Sequence, residues 1–398
     1  MARPGRNRSL ALALMLGATA LTWGVARAQE DAAGLAVTSK LPHWLAPGGR
    51  LVLRGTGAPG EVVRVSVGGL ERKVKVSRRG TFAVRARAPA GNGTYGVSLA
   101  SRSARLALGT VEVRPVRLAA VGDVNLGDRV GTAISHYGAR YPWRSVAGVL
   151  RSADIALANL ECSISRRGSP WPGKLYTFRG APSSLRAMAD YAGVDVVSLA
   201  NNHSLDYGRL AFADTLSYAH DFGLRTIGGG RDLAASRRPA VFRLGGIRIA
   251  LLGYSDVRPL GFDAGADTSG TAPAFPEYIS ADVRRARGRA EVVVVYFHWG
   301  LERTFTPTER QRALARVAFE AGAHVVLGAH PHVLQSIERP RRHRLVAWSL
   351  GNFVFGADTR ATQRTGILRL RLGRSGVLRH GFRRARIGGT FNVQPILL

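Results

Sequence analysis

Between residues 30 and 114 apolar and polar positions alternate in short runs broken by Gly and Pro. The runs Arg50–Arg54, Glu61–Val67, Arg72–Val76, Thr81–Ala86, Tyr95–Leu99 and Arg105–Leu108 predict strands that bury one face only. Strands of this length at this spacing predict a small all-β sandwich.

From Val116 the pattern changes to near-continuous apolar runs separated by longer amphipathic stretches. Arg117–Val121, Asp154–Leu160, Asp195–Ala200, Ile247–Gly253, Glu291–Phe297 and His324–Gly328 predict strands buried on both faces. Ser183–Tyr191, Arg209–Asp221 and Thr308–Ala321 predict helices, the last with Pro307 in its first turn. Strand and helix in alternation predict an α/β domain over 115–398, with a boundary near Arg114-Pro115. Residues 258–275, rich in Gly, Ala, Asp and Pro, predict a long loop suited to a lid or to substrate contact.

The first residues follow neither pattern. Arg3, Arg6 and Arg8 form a basic head, Leu10–Val25 an apolar run, and Ala26-Arg27-Ala28 a small-x-small cleavage site. This is the layout of a secretory signal over 1–28, cleaved near Ala28, and it leaves a β module over 29–114. Export places the protein outside the cytoplasm, secreted or in the cell envelope. There, Cys162, the single cysteine, provides no internal disulfide. An apolar share of 45% excludes a disordered or fibrous chain. The formal charge of +31 is carried almost wholly by arginine, since Lys40, Lys73, Lys75 and Lys174 are the lysines. Such a balance suits polyanions such as anionic lipid, wall or capsule polymer; export argues against nucleic acid. Arg339–Arg344 predicts a solvated basic hairpin loop.

The chemistry gathers at the carboxyl ends of the predicted strands, where open α/β sheets place their ligands. These ends carry Asp123 and Asn125; Glu161; Asn201, Asn202 and His203 with Asp206 beyond; His298; and His330 and His332. Carboxylate, amide oxygen and neutral imidazole together suit Mn²⁺, Fe²⁺ or Zn²⁺ better than Ca²⁺ or Mg²⁺. Cys162, beside Glu161 with no histidine in local reach, reads as a buried structural thiol. Phe353 and Phe355 read as packing, and Asn352 as lining the site.

Six segments extend the argument: Gly122-Asp123-Val124-Asn125-Leu126-Gly127; Asn159-Leu160-Glu161; Ala200-Asn201-Asn202-His203 with Asp206-Tyr207-Gly208; His298-Trp299-Gly300; Gly328-Ala329-His330-Pro331-His332; and Ser349-Leu350-Gly351-Asn352-Phe353-Val354-Phe355. In kind and order, over about 116–357, they resemble the CapA family, the poly-γ-glutamate capsule synthesis proteins. That family resembles the calcineurin-like metallophosphoesterases. The resemblance implies a four-layer α/β/β/α sandwich with a centre of two divalent transition-metal ions. Asp123, Glu161 and His332 would hold one ion, and Glu161, Asn202, His298 and His330 the other. His203 would protonate a leaving group or steady the transition state, oriented by Asp206. Asn125 stands where the phosphoesterase pattern has a histidine and would be a weaker ligand. The turns at Ala58-Pro59-Gly60 and Gly80-Thr81 are similar to those of bacterial immunoglobulin-like modules. Implied partners are an anionic envelope polymer such as poly-γ-glutamate and membrane-bound capsule synthesis proteins. Two functions remain in view: a metal-dependent hydrolase of capsule polymer biosynthesis, or a non-catalytic polyanion-binding assembly protein with a degenerate metal site.

Overall fold

A computed structural model describes residues 34–398; the leader segment over 1–28 lies outside the described residues. The chain divides into two compact units, one ending at Arg114 and one running Pro115–Leu398.

In the first unit, strands Ala36–Val37, Arg50–Thr56 and Thr81–Arg87 form a three-stranded sheet. Trp44–Leu45, Arg105–Val113, Gly93–Ala100, Val62–Val67 and Leu70–Lys75 form a five-stranded one. Alternate residues point inward, so Leu51 and Leu53 of one sheet share a core with Val63, Val65, Val97 and Leu99 of the other. The intervening Arg50, Arg54, Arg64 and Arg85 are exposed. Period-two patterning thus produces a sandwich whose outer faces are wet.

The second unit carries two larger sheets. One has eight strands, in the order Arg225–Ile227, Val196–Ser198, Ile155–Leu160, Val116–Val124, Arg364–Gly373, Gly376–Gly388 and Gln394–Leu397, with Asn352–Val354 also paired to Val116–Val124. The other has six, in the order Ala240–Leu244, Ile247–Ser255, Val292–His298, Val325–Ala329, Leu345–Ala347 and Ile337–Glu338. The strands leading to the site are parallel within each sheet.

Along Val292–His298, Val293, Val295 and Phe297 pack with Ile279 and Val283 of helix Pro276–Arg287 and with Leu314 and Ala318 of helix Glu309–Glu320. Val292, Val294 and Tyr296 are equally buried and face the opposite way, and Tyr296 Oη donates to Val121 O of the other sheet at 2.8 Å. On that sheet Ala119 and Val121 pack with Val130 and Ala133 of helix Asp128–Tyr137 and Phe212 of helix Gly208–Asp221. Helices, sheet, sheet and helices therefore stack in four layers, the architecture the resemblance implied. Strands covered on both sides must be apolar throughout, which is why they read as unbroken runs.

Some elements escaped the pattern. The long hairpin Arg364–Gly373 and Gly376–Gly388 alternates arginines with apolar residues, and its many charges hide a sheet-completing pair. The last predicted helix begins one step later than its proline suggested. Thr308 is the N-cap, and it exchanges bonds with Gln311 in a capping box, leaving Pro307 outside. The loop over 258–275 is pinned by the fully buried Phe262 and by pairing of Gly270–Thr271 with Gly229–Gly230.

Candidate metal centre

Asp123 and Asn159 sit opposite each other in the first sheet, and His298 and Ala329 in the second, so strand ends of both sheets deliver polar side chains. Close backbone approach at Gly122 makes this possible. A Cβ there would collide with Gly351 O, while the next amide, Asp123 N, donates to that same oxygen at 2.9 Å. His330 and His332 both adopt positive φ, 94° and 59°. Two non-glycine residues held in that region store strain that the surrounding structure must offset, a pattern concentrated at functional sites.

Three groups of ligand-type atoms result, each within 4.8 Å of one another: Asp123, Glu161 and His332; Glu161, His298 and His330; and Glu302, His330 and His332. Glu161 is common to the first two. Its Oε1 lies 3.6 Å from His298 Nε2, 3.9 Å from His332 Nε2 and 4.0 Å from His203 Nε2. Asn202 Oδ1 meets His298 Nε2 at 2.7 Å and so reaches the second group. Asn125 turns the other way: its Oδ1 accepts from Gly127 N–H at 2.8 Å, a bond that competes with metal ligation.

Whether these residues fit a cation can be asked of their buried atoms. Glu161 Oε1 and His330 Nδ1 are buried with no hydrogen-bond partner, although almost all such atoms in folded proteins have one. Both belong to residues of the groups above, and a divalent cation held there would give a partner to an atom of this kind. Burial, and then the charge of Asp123, push the Glu161 carboxyl well above its ordinary range. Burial also holds His298 well below the usual imidazole value and His330 down at about 3, so both rings are neutral, as ligation requires. Burial raises Asp123, but the hydrogen bond and charge of His332, with the Asn159 amide, outweigh it and leave the carboxyl low. The same contact lifts His332 against the pull of burial.

A second rank of residues orients the first. Asn159 Nδ2 donates to Asp123 Oδ1 at 2.9 Å and lies 3.2 Å from His298 Nδ1. Asn201 holds Asn159 in turn, at 3.0 Å. Asn352 Oδ1 takes His332 Nδ1 at 2.7 Å. His203 Nδ1 meets Asp206 Oδ2 at 2.7 Å, which leaves Nε2 toward the cluster, and Phe178 stacks on the ring at 4.4 Å between centroids. Lys174 Nζ bonds Asp206 Oδ1 and lies 3.0 Å from His203 Nδ1. Cys162 is fully buried, and burial pushes its thiol up to about 12.

Glu302, Lys174 and Phe178 were not singled out from the sequence. Glu302 lies four residues beyond His298, and Lys174 and Phe178 stand in an irregular stretch. No periodicity marks them; lysine's rarity in this chain was the available signal for Lys174.

Comparison with known proteins agrees with the motif reading. The chain is 32% identical over 278 residues to the "PGA biosynthesis protein CapA" of Bacillus subtilis (strain 168), covering 69% of this chain and 70% of that protein. It is 30% identical over 259 residues to the "Capsule biosynthesis protein CapA" of Bacillus anthracis, covering 63% of this chain and 62% of that one, under two thirds of its length. Among solved structures, a 5'-nucleotidase precursor from Thermus thermophilus aligns over 71% of this chain and 54% of its own, at 13% identity and a TM-score of 0.38, too distant to bear on function. The family model "Bacterial capsule synthesis protein PGA_cap" matches residues 117–357, the span that contains every residue of the cluster. On that match and the 32% identity, this chain belongs to the bacterial capsule synthesis protein family PGA_cap.

Proposed function

We propose that this is an exported envelope protein whose buried centre binds divalent transition metal, two ions of Mn, Fe or Zn, and hydrolyses phosphate, ester or amide bonds in the making of an anionic capsule polymer such as poly-γ-glutamate. The observation that carries this reading is the shared, buried and unpartnered Glu161 Oε1 facing three imidazoles. Asp123, Glu161 and His332 would hold one ion, and Glu161, Asn202, His298 and His330 the other. When bound, such ions polarise a scissile oxygen and make water a nucleophile near neutral pH. The chain's own contribution is orientation and proton transfer. Asn159 and Asn352 fix Asp123 and His332. Asp206 holds the proton of His203 on Nδ1 and leaves Nε2 as the basic nitrogen, which would first take up a proton, from solvent or an attacking water, and then pass it to a departing group. The basic head, apolar run and Ala26-Arg27-Ala28 site support export, and the first unit serves as an immunoglobulin-like spacer. A mature N-terminus at Gln29 in envelope fractions is the expected result for export; retention of residues 1–28 on a cytoplasmic protein would overturn it.

The test of the centre is the metal content of protein purified without chelator, beside that of His330→Ala. Close to two transition-metal ions per chain, lost in the variant together with hydrolysis of phosphoesters or γ-glutamyl amides, is the expected outcome. No metal even after loading with Mn²⁺ or Zn²⁺ would overturn it in favour of the second reading, a non-catalytic polyanion-binding assembly protein. That reading draws on the bond between Asn125 and Gly127 and on the +31 charge.

A further inference from the structure

The second unit holds a cavity of about 1130 Å³ that the centre does not use. Its walls include Arg360, Arg364, Arg384 and Arg386, with Phe305 and Phe382 among the apolar lining, and no lining side chain is acidic. The basic run Arg339–Arg344 takes no part in it. The arginines are placed by strand pairing. Arg364 lies opposite Arg386, and Gly366 opposite Arg384, in the antiparallel hairpin. Phe382, Arg384 and Arg386 follow one another at every second residue and so share a face, about 7 Å apart along the strand. Arg386 is held by a neutral partner, Gln363 Oε1, at 2.9 and 3.2 Å, which fixes its fork without cancelling its charge. A Cβ on Gly366 would lie 2.6 Å from the Phe382 ring, so the absence of a side chain there is what seats the ring against the strand.

The cavity backs onto the centre through single residues. Leu334 of its wall is two positions from His332. Thr365, also of its wall, bonds Asn352 O, and Asn352 holds His332. Phe305 and Gln335 come from the loops that follow His298 and His332, and Gln335 Nε2 ties the two together by donating to Thr304 O at 2.7 Å.

We propose that this cavity is a docking groove for a linear polycarboxylate, an extended chain that alternates carboxylate groups with hydrocarbon. Guanidinium forks bind carboxylates in bidentate fashion, and a row of them two residues apart presents repeating contacts to a repeating ligand. The phenylalanines and Leu334 give the hydrocarbon between carboxylates a surface to cover, which a polyphosphate has nothing to match. The groove rests on the polymer half of the proposed function and not on catalysis.

The experiment uses the full chain, poly-γ-glutamate as probe, and two charge-reversal variants of equal charge. Arg364→Glu with Arg384→Glu alters the groove. Arg78→Glu with Arg79→Glu alters an exposed turn of the first unit. Binding is titrated at low and at physiological salt, in chelator-treated and in metal-loaded protein. The groove variant is expected to bind at least about 10-fold more weakly and the control to stay within about 2-fold of the unaltered chain. Equal weakening of both variants would assign the binding to diffuse charge and overturn the groove, as would unaltered binding by the groove variant. Tighter binding of polyphosphate of matched length, lost in the groove variant, would overturn the polycarboxylate. Because the variants are compared in both metal states, failure of the metal centre leaves this outcome readable.

Discussion

The two units use the same element, a packed pair of β-sheets, to opposite ends. In the first, strands such as Arg50–Thr56, Val62–Val67 and Thr81–Arg87 bury every second residue or fewer, and the core is apolar: none of its described residues is a buried polar or charged one. In the second, strands such as Ile155–Leu160 and Val292–His298 are buried at every position, and all the buried polar and charged residues lie at or beyond Asp123. Burying a carboxylate or imidazole costs several kcal/mol unless it is compensated. In the second unit many of these groups stand at strand ends, where Glu161 Oε1 and His330 Nδ1 are left unpaired and a bound cation would offset the cost. A one-sided sandwich lacks the doubly covered strand ends on which such a cluster can be assembled.

Removing a ligand strikes this difference hardest. His330→Ala should weaken metal binding by at least about 100-fold, given that even second-rank changes cost 10–100-fold. Elemental content and a competitive chelator titration check this. Unaltered content would erase the distinction between the units.

Acid comes next. His324 directly precedes the strand Val325–Ala329 that His330 follows, at the opposite end from the centre, and its Nδ1 accepts from Val293 N–H at 3.2 Å. Burial, then Arg287, Arg344 and His343, hold it down at about 4. The unfolded chain takes the proton first, so the second unit's stability is full above about pH 6.5 and is lost as pH falls toward 4, by up to about 3 kcal/mol. Urea unfolding of metal-free protein at pH 7 and 4.5 should show the loss, and His324→Gln should reduce it by the His324 share, the depressed His298 and His330 keeping the rest. An equal slope in the variant would assign the acid sensitivity elsewhere.

Val65→Ala should destabilise the first unit by about 2 kcal/mol through the cavity it opens. Metal content should not change. Paired calorimetry and elemental content test that independence, and lost metal would show the units to be coupled. The smallest effect belongs to Glu302→Gln. As an exposed member of the third group it should reduce metal affinity by only about 3–5-fold, within the range of a partly screened charge. A loss equal to that of His330→Ala would make Glu302 a principal ligand.

Much of the architecture was legible because burial leaves a period in the chain. Alternation at Arg50–Thr56 and unbroken apolarity at Val292–His298 follow from one or two covered faces, and the Asp, Glu, Asn and His residues of the cluster stand out where those runs stop. The hairpin Arg364–Gly388 stayed hidden because its exposed positions carry arginine, which also fills ordinary surface in this chain. The sequence by itself determined which residues could form strands and which chemistry ended them, since both depend on neighbours a few positions away. Tertiary structure alone decided that Asn125 turns back to Gly127, that Lys174 joins Asp206, that Glu302 stands beside His330 and His332, and that two arginine-bearing strands wall a cavity behind Asn352. Those contacts join segments or orient side chains by packing and hydrogen-bond competition, which no local periodicity encodes.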